Sequence, residues 1–223
     1  MPRQVDSLVI VVVGASGDLA KKKTYPALYA LWKEGLLPPD VVVWGFARSA
    51  KTHEGLRSHL KSCLPSAKTT EETNVDRFLN LCFYRQGTSY GDWQTVETIL
   101  QEEPKCQNVL VYLAIPPNVF GESTEAVMKA RQSFPQDKGG FFRVVLEKPF
   151  GRDTASCQEL LKTLEKQKWP EHELYRIDHY LGKEMVQNLM TLRQYNPWIN
   201  TIWNKQTIKA VHLVFKEPFG TEG

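Results

Sequence analysis

The run Leu8-Val9-Ile10-Val11-Val12-Val13 constrains this chain more than any other stretch. Its residues are apolar without interruption and mostly β-branched, which favours a strand, and the lack of alternation requires cover on both faces. A strand covered on both faces belongs to a parallel sheet flanked by helices. Gly14-Ala15-Ser16-Gly17-Asp18 follows, and then a segment over 19–33 with Leu19, Tyr25, Leu28, Tyr29 and Trp32 mostly on one helical face. Gly35 and Pro38-Pro39 end that helix, and Val41 to Phe46 reads as a second buried strand. Strand, helix, strand in this order is the first unit of a doubly wound fold.

The same alternation continues. Helices are predicted over 52–64 and around 75–81, and a strand over 108–115 is stopped by Pro116-Pro117. A helix around 122–133 leads to a strand over 141–146 that ends in Glu147-Lys148-Pro149-Phe150-Gly151. Asp153 or Thr154 caps a helix to about Lys168, and a further strand surrounds Tyr175. Beyond it a helix is expected from Lys183 to about Arg193, then an aromatic loop with Pro197 and Trp198, then a strand over 208–215. The fold class expected is therefore α/β: a doubly wound, mostly parallel, Rossmann-type sheet, followed by the truncated start of an α+β domain. Topology places the boundary near residue 176, giving domains over 1–175 and 176–223.

Composition excludes some functions. The 223 residues are 42% hydrophobic and 24% charged, with a net charge of only +3, too little basic excess for a nucleic-acid binder. No apolar run is long enough to span a bilayer. Met1 to Ser7 runs directly into the first strand, so no cleavable leader is expected. The four cysteines, at 63, 82, 106 and 157, have neither zinc-ligand nor redox spacing, and a reducing cytosol suits them.

A glycine turn between a buried strand and a helix is an anion site, because the helix's first N–H groups and its dipole face the ligand. Gly14 and Gly17 allow a close approach to a pyrophosphate, although Ser16 and Leu19 stand where the GxGxxG pattern has its later glycines. Lys21-Lys22-Lys23 in the first helical turns adds positive charge. No Walker A sequence is present. After the second strand an acidic residue would accept from a ribose hydroxyl and repel a phosphate. This chain has Arg48 and Ser49 there instead: the guanidinium can stack on adenine and pair with a 2′-phosphate, and the hydroxyl can donate to it. NADP is expected over NAD, with Gly14, Ala15, Ser16, Gly17, Asp18, Leu19, Lys23, Arg48 and Ser49 as its contacts.

Two further stretches carry chemistry. Lys148 ends a parallel strand, where ligands of such sheets sit, and a cis bond to Pro149 would aim it into the crevice as a cation between nicotinamide and substrate. The run Arg176-Ile177-Asp178-His179-Tyr180-Leu181-Gly182-Lys183 crowds an acid, an imidazole, a phenol and an ammonium together. His179, Tyr180 and Lys183 can donate to a phosphate, whereas Asp178 would repel one and is left to orient a catalytic base.

These motifs, in this order and spanning nearly the whole chain, resemble glucose-6-phosphate dehydrogenases. They are Gly14 through Ala20, Gly45 through Ser49, Glu147 through Gly151, Arg176 through Lys183, and Phe215 through Gly223. The resemblance implies NADP-dependent oxidation of glucose 6-phosphate at C1 to the lactone, the first step of the pentose phosphate pathway, in a homo-oligomer. By it, His179, Tyr180 and Lys183 hold the substrate phosphate, Lys148 touches substrate and cofactor, Glu217 bonds sugar hydroxyls, and Asp178 pairs with a catalytic histidine.

That family's histidine follows the segment ending here at Gly223. The five histidines present are His53, His59, His172, His179 and His212. The first three are expected at the surface, His179 on the phosphate, and His212 on a strand face opposite Val211 and Leu213. The chain alone is therefore expected to be nearly inactive, with Val211, Leu213, Phe215 and Trp203 exposed. Two other readings stand beside this one: a non-catalytic NADP-binding module, and a sugar oxidoreductase of the glucose–fructose type, whose members lack the Arg176–Lys183 run.

Overall fold

The computed structural model describes residues 6–64, 69–134, 139–178 and 180–214, with side chains omitted over 69–73. Two compact units divide the chain between Ile177 and Asp178.

The first unit is built on six strands: β1 (Ser7–Val13), β2 (Asp40–Ala47), β3 (Cys82–Gln86), β4 (Val109–Leu113), β5 (Phe142–Glu147) and β6 (Leu174–Ile177). All neighbours pair in parallel, in the order β3-β2-β1-β4-β5-β6. That is the doubly wound arrangement expected from the strand–helix alternation. The register sets Val13 of β1 opposite both Phe46 of β2 and Leu113 of β4, so three strand ends finish level.

β1 shows why its sequence does not alternate. Leu8, Ile10 and Val12 pack on one side with α1 (Tyr25–Lys33), α2 (His53–Lys61) and α3 (Thr69–Asn80). Val9, Val11 and Val13 pack on the other with α4 (Trp93–Glu102), α5 (Phe120–Ser133) and α6 (Thr154–Lys166). Every residue from Val9 to Val13 is at most 1% exposed, so a polar group at any of these positions would be desolvated without a partner.

α5 and the approach to β6 are joined by an ion pair. The Arg131 guanidinium donates through two nitrogens to both Glu173 oxygens, at 2.6 Å each, and both side chains are largely buried. Asp153, not Thr154, caps α6, accepting from the Ser156 N–H while the Ser156 hydroxyl accepts from the Asp153 N–H.

β3 and α4 lie in stretches for which the sequence pattern gives no strand or helix expectation. β3 buries Cys82 and Tyr84 while Phe83 and Arg85 stay half-buried, as on an edge strand whose two faces differ. α4 carries Val96, Ile99 and Leu100 at helical spacing behind an Asp92 cap. The first crossover helix also departs from a uniform α-helix, opening with a π-helical turn over Ala20–Thr24.

The second unit contains α7 (Glu184–Tyr195) and a short α8 (Ile199–Ile202) inside the expected aromatic loop. The strand expected over 208–215 is not formed over 208–214, and Phe215 lies outside the described residues. A strand needs a hydrogen-bonding neighbour, and no described strand pairs with this segment. Val211 and Leu213 are exposed, as expected, and so is Trp203.

Candidate functional site

The strand order reverses between β1 and β4, and in open parallel sheets the crevice at such a point, beyond the strands' C-terminal ends, receives the ligand. The loops that wall it follow β1, β2, β3, β4 and β5.

The loop after β1 is pinned on both sides. Gly14 and Ala15 donate their N–H groups to the Phe46 carbonyl at the end of β2, at 2.8 and 3.2 Å. Gly14 has φ +84, and a Cβ there would lie 2.4 Å from the Ala114 carbonyl oxygen, so its backbone is pressed against the end of β4. Gly17 donates to Gly14 at 2.9 Å, closing the turn. The helix that follows opens at Leu19 without a side-chain cap, leaving its first N–H groups to whatever lies in front of it. Asp18 is exposed and pairs with Lys22 at 3.3 Å, and Lys23 is exposed beside it.

The loop after β2 is held from β3. Tyr84 donates its hydroxyl to the Ser49 carbonyl at 2.5 Å, and the Gln86 amide donates to the Arg48 carbonyl at 3.1 Å. Burial is the largest influence on the Tyr84 pKa and raises it, so the phenol remains a donor at neutral pH. The Ser49 hydroxyl donates to the Ser16 hydroxyl at 2.6 Å, which ties the two loops together. The Arg48 guanidinium lies over the Tyr90 ring, 4.8 Å from its centre. The loop carrying Tyr90 is fastened at Asp92, whose carboxylate accepts from the Thr88 N–H and hydroxyl and from the Thr95 N–H. Burial alone would raise the Asp92 pKa, but these bonds outweigh it and hold the carboxyl below its usual value.

On the other side of the switch point, Tyr112 of β4 donates to Glu147 of β5 at 2.5 Å, and Glu147 is only 6% exposed. Burial and then the glutamate raise the tyrosine's pKa above the ordinary phenol range. The Lys148–Pro149 bond is cis, as the sequence suggested, and Lys148 is half-buried.

In the second unit, Asp178 accepts from the Tyr180 N–H at 2.9 Å, and its carbonyl accepts from Leu181 at 3.0 Å. The Lys183 ammonium lies 4.3 Å from the centre of the Tyr180 ring. Asp178, Tyr180 and Lys183 thus share one turn ahead of α7. His179 and Glu217 lie outside the described residues.

Two histidines expected at the surface are not free there. His53 accepts the Tyr84 N–H at its Nδ1, 2.9 Å away, with its ring edge-on to Trp44 and Phe83. His59 is half-buried with its Nε2 covered, and burial, then Lys21 and Lys51, push its pKa down. His172 and His212 are exposed. Among the described residues no cluster of histidine, cysteine or carboxylate side chains could hold a metal ion, and no helix is long and apolar enough to cross a membrane.

The groups around β1 and β2 suit a dinucleotide with a phosphate on its adenosine ribose. The glycine loop admits close approach, a guanidinium and two hydroxyls stand at the β2 end, and no carboxylate follows β2 through Lys51. Tyr90, Tyr84 and Gln86 were not legible as parts of this site, because β3 itself was not read. The aromatic ahead of the Gly91-Asp92 cap signal was the one available clue.

Comparison with known proteins gives a consistent answer. The family model described as "Glucose-6-phosphate dehydrogenase, NAD binding domain" matches residues 11–188. The chain is 45% identical to glucose-6-phosphate 1-dehydrogenase 1, chloroplastic, of Arabidopsis thaliana, with 97% of this chain and 38% of that protein aligned. It is 44% identical to a glucose-6-phosphate 1-dehydrogenase of Takifugu rubripes, over 99% of this chain and 41% of that one. A solved glucose-6-phosphate dehydrogenase in complex with its substrate glucose-6-phosphate superposes with a TM-score of 0.82 at 41% identity, covering all of this chain and 47% of that one. A glucose-6-phosphate 1-dehydrogenase from Mycobacterium avium gives 0.70 at 29% identity, over 90% of this chain and 42% of that one. The chain therefore spans about two-fifths of the length of the curated relatives it matches.

The glycine turn supplies a direct test. Gly35 has φ +67 with nothing within 4 Å of a built Cβ, whereas Gly14 combines positive φ with overlap onto a backbone carbonyl. Gly35→Ala should lower stability to urea by about 1 kcal/mol, and Gly14→Ala by at least about 2 kcal/mol. Equal losses would show that the close approach to Ala114 is not a constraint.

Proposed function

The chain belongs to the glucose-6-phosphate dehydrogenase family, and on that premise we propose that it binds NADP and serves the oxidation of glucose 6-phosphate at C1 to 6-phosphoglucono-1,5-lactone. The observation that carries this reading is the β2 end, where the Arg48 guanidinium lies over the Tyr90 ring and Ser49 is bonded to Ser16. A guanidinium so placed can stack on adenine and meet a 2′-phosphate, while an ordinary ribose hydroxyl has no carboxylate there to accept its proton.

We assign residues 1–175 to NADP and 176–223 to a separate substrate domain. Gly14, Ala15, Ser16 and Gly17 form the turn that faces the pyrophosphate, with Asp18, Leu19 and Lys23 in the adjoining turn. Arg48 and Ser49 take the 2′-phosphate, and Tyr90 supports the adenine side. Bound NADP supplies the acceptor for the hydride that leaves C1. Lys148, at the end of β5, donates to substrate and cofactor oxygens. In the second domain His179, Tyr180 and Lys183 donate to the substrate phosphate, Glu217 accepts from sugar hydroxyls, and Asp178 orients the base. Four unpaired thiols suit a reducing compartment such as the cytosol.

The C1 hydroxyl must also lose a proton, and we propose that none of the four described histidines takes it. His53 would have to give up its bond from Tyr84 to be protonated on Nδ1. His59 is held neutral by burial and by two lysines. His172 and His212 are solvated. His179 is assigned to the phosphate.

Two measurements test the reading. Arg48→Ala should weaken NADP binding tenfold or more while changing NAD binding less than threefold, as expected for a lost charge-assisted pair; equal effects on both would refute the assignment. The 223-residue polypeptide should bind NADP yet form lactone about 10²–10⁴ times more slowly than a full-length relative, as for a missing general base. Turnover within tenfold of such an enzyme would contradict the histidine argument, while no turnover at all would favour a purely NADP-binding module.

A further inference from the structure

We propose that Glu122 is a positioning residue for the adenine side of the crevice, acting through the backbone of the loop that carries Tyr90. The inference rests on the reading that NADP binds there. Glu122 lies in the first turn of α5, after β4, on a different crossover from the Arg48 and Tyr90 loops. Its Oε1 accepts the Gly91 N–H at 2.8 Å, a hydrogen that also faces the Ser89 hydroxyl at 3.0 Å. The glutamate lies against the glycine as well. A Cβ at position 91 would stand 2.6 Å from that oxygen and 2.7 Å from Cγ, so the loop admits the carboxylate because residue 91 has no side chain.

The consequence follows from what the loop holds. Asp92 fastens its far end through Thr88 and Thr95, and Glu122 fastens the peptide directly after Tyr90. The Tyr90 ring underlies the Arg48 guanidinium, 4.8 Å from its centre, so where the ring sits bears on where the guanidinium sits. Glu122 therefore acts on the 2′-phosphate and adenine through two intermediaries and touches neither. A carboxylate in the first turn of α5 also interacts favourably with that helix's dipole, which is a purely structural role. The two roles separate by substitution: the dipole needs the charge, whereas the loop needs an acceptor at the right reach.

Glu122→Gln removes the charge and keeps an acceptor at the same reach. Glu122→Ala removes both, and Glu122→Asp keeps the charge on a stem one methylene shorter. Calorimetric titration of the folded 223-residue protein with adenosine 2′,5′-bisphosphate should show Ala and Asp weaker than wild type by about three- to tenfold, the range of one ordinary hydrogen bond. Gln should stay within twofold of wild type. Equal affinities for Ala and Gln, or an Asp variant equal to wild type, would overturn the inference while leaving the cofactor reading intact. Should Ala fail to fold, the Gln–Asp comparison decides alone. A wild-type protein that does not bind the bisphosphate would overturn the cofactor reading, and this inference with it.

Discussion

The approach of the Gly14 backbone to the Ala114 carbonyl is the constraint on which the upper edge of the sheet depends. At φ +84, with room for no Cβ, the chain leaves β1 along the end of β4 and donates two N–H groups back to the end of β2. The ends of the three strands finish level at this point. Each wall of the crevice refers to this point. Ser16, two residues on, accepts from Ser49, and Ser49 is in turn held by Tyr84. Backbone geometry, more than any side chain, gives the crevice its shape; the side chains decide what enters it.

The central strands were legible because burial on both faces leaves an unbroken apolar run, as in β1, β2, β4 and β5. β3 was not, because an edge strand faces two environments and its five residues mix a thiol, aromatics, a cation and an amide. That omission concealed half of the wall proposed for adenine, since Tyr84 and Gln86 hold the Arg48–Ser49 backbone and the next loop supplies Tyr90. Arg48 and Ser49, proposed to meet the 2′-phosphate, could be singled out because they directly follow the end of β2. His53 was misjudged for a related reason. His53 sits at the start of a helix that sequence alone places in solvent, but its Nδ1 serves a backbone N–H of the unread strand.

The second unit shows the opposite failure. The 208–215 segment has a strand's composition, yet composition supplies no partner, and over 208–214 no strand forms. Ahead of α7, by contrast, dense polar sequence translates into local order. Asp178 closes its own turn on the Tyr180 N–H, and Lys183 settles over the Tyr180 ring. A carboxylate engaged in this way keeps a fixed direction, which suits a group proposed to orient a base.

The central claim, that the switch-point crevice holds NADP by its adenine side, is tested most directly by amide hydrogen exchange of the 223-residue protein with and without NADP. Slower exchange concentrated in residues 14–20, 48–50 and 87–91 is the predicted result. Unchanged exchange in those three segments at saturating NADP would contradict the account.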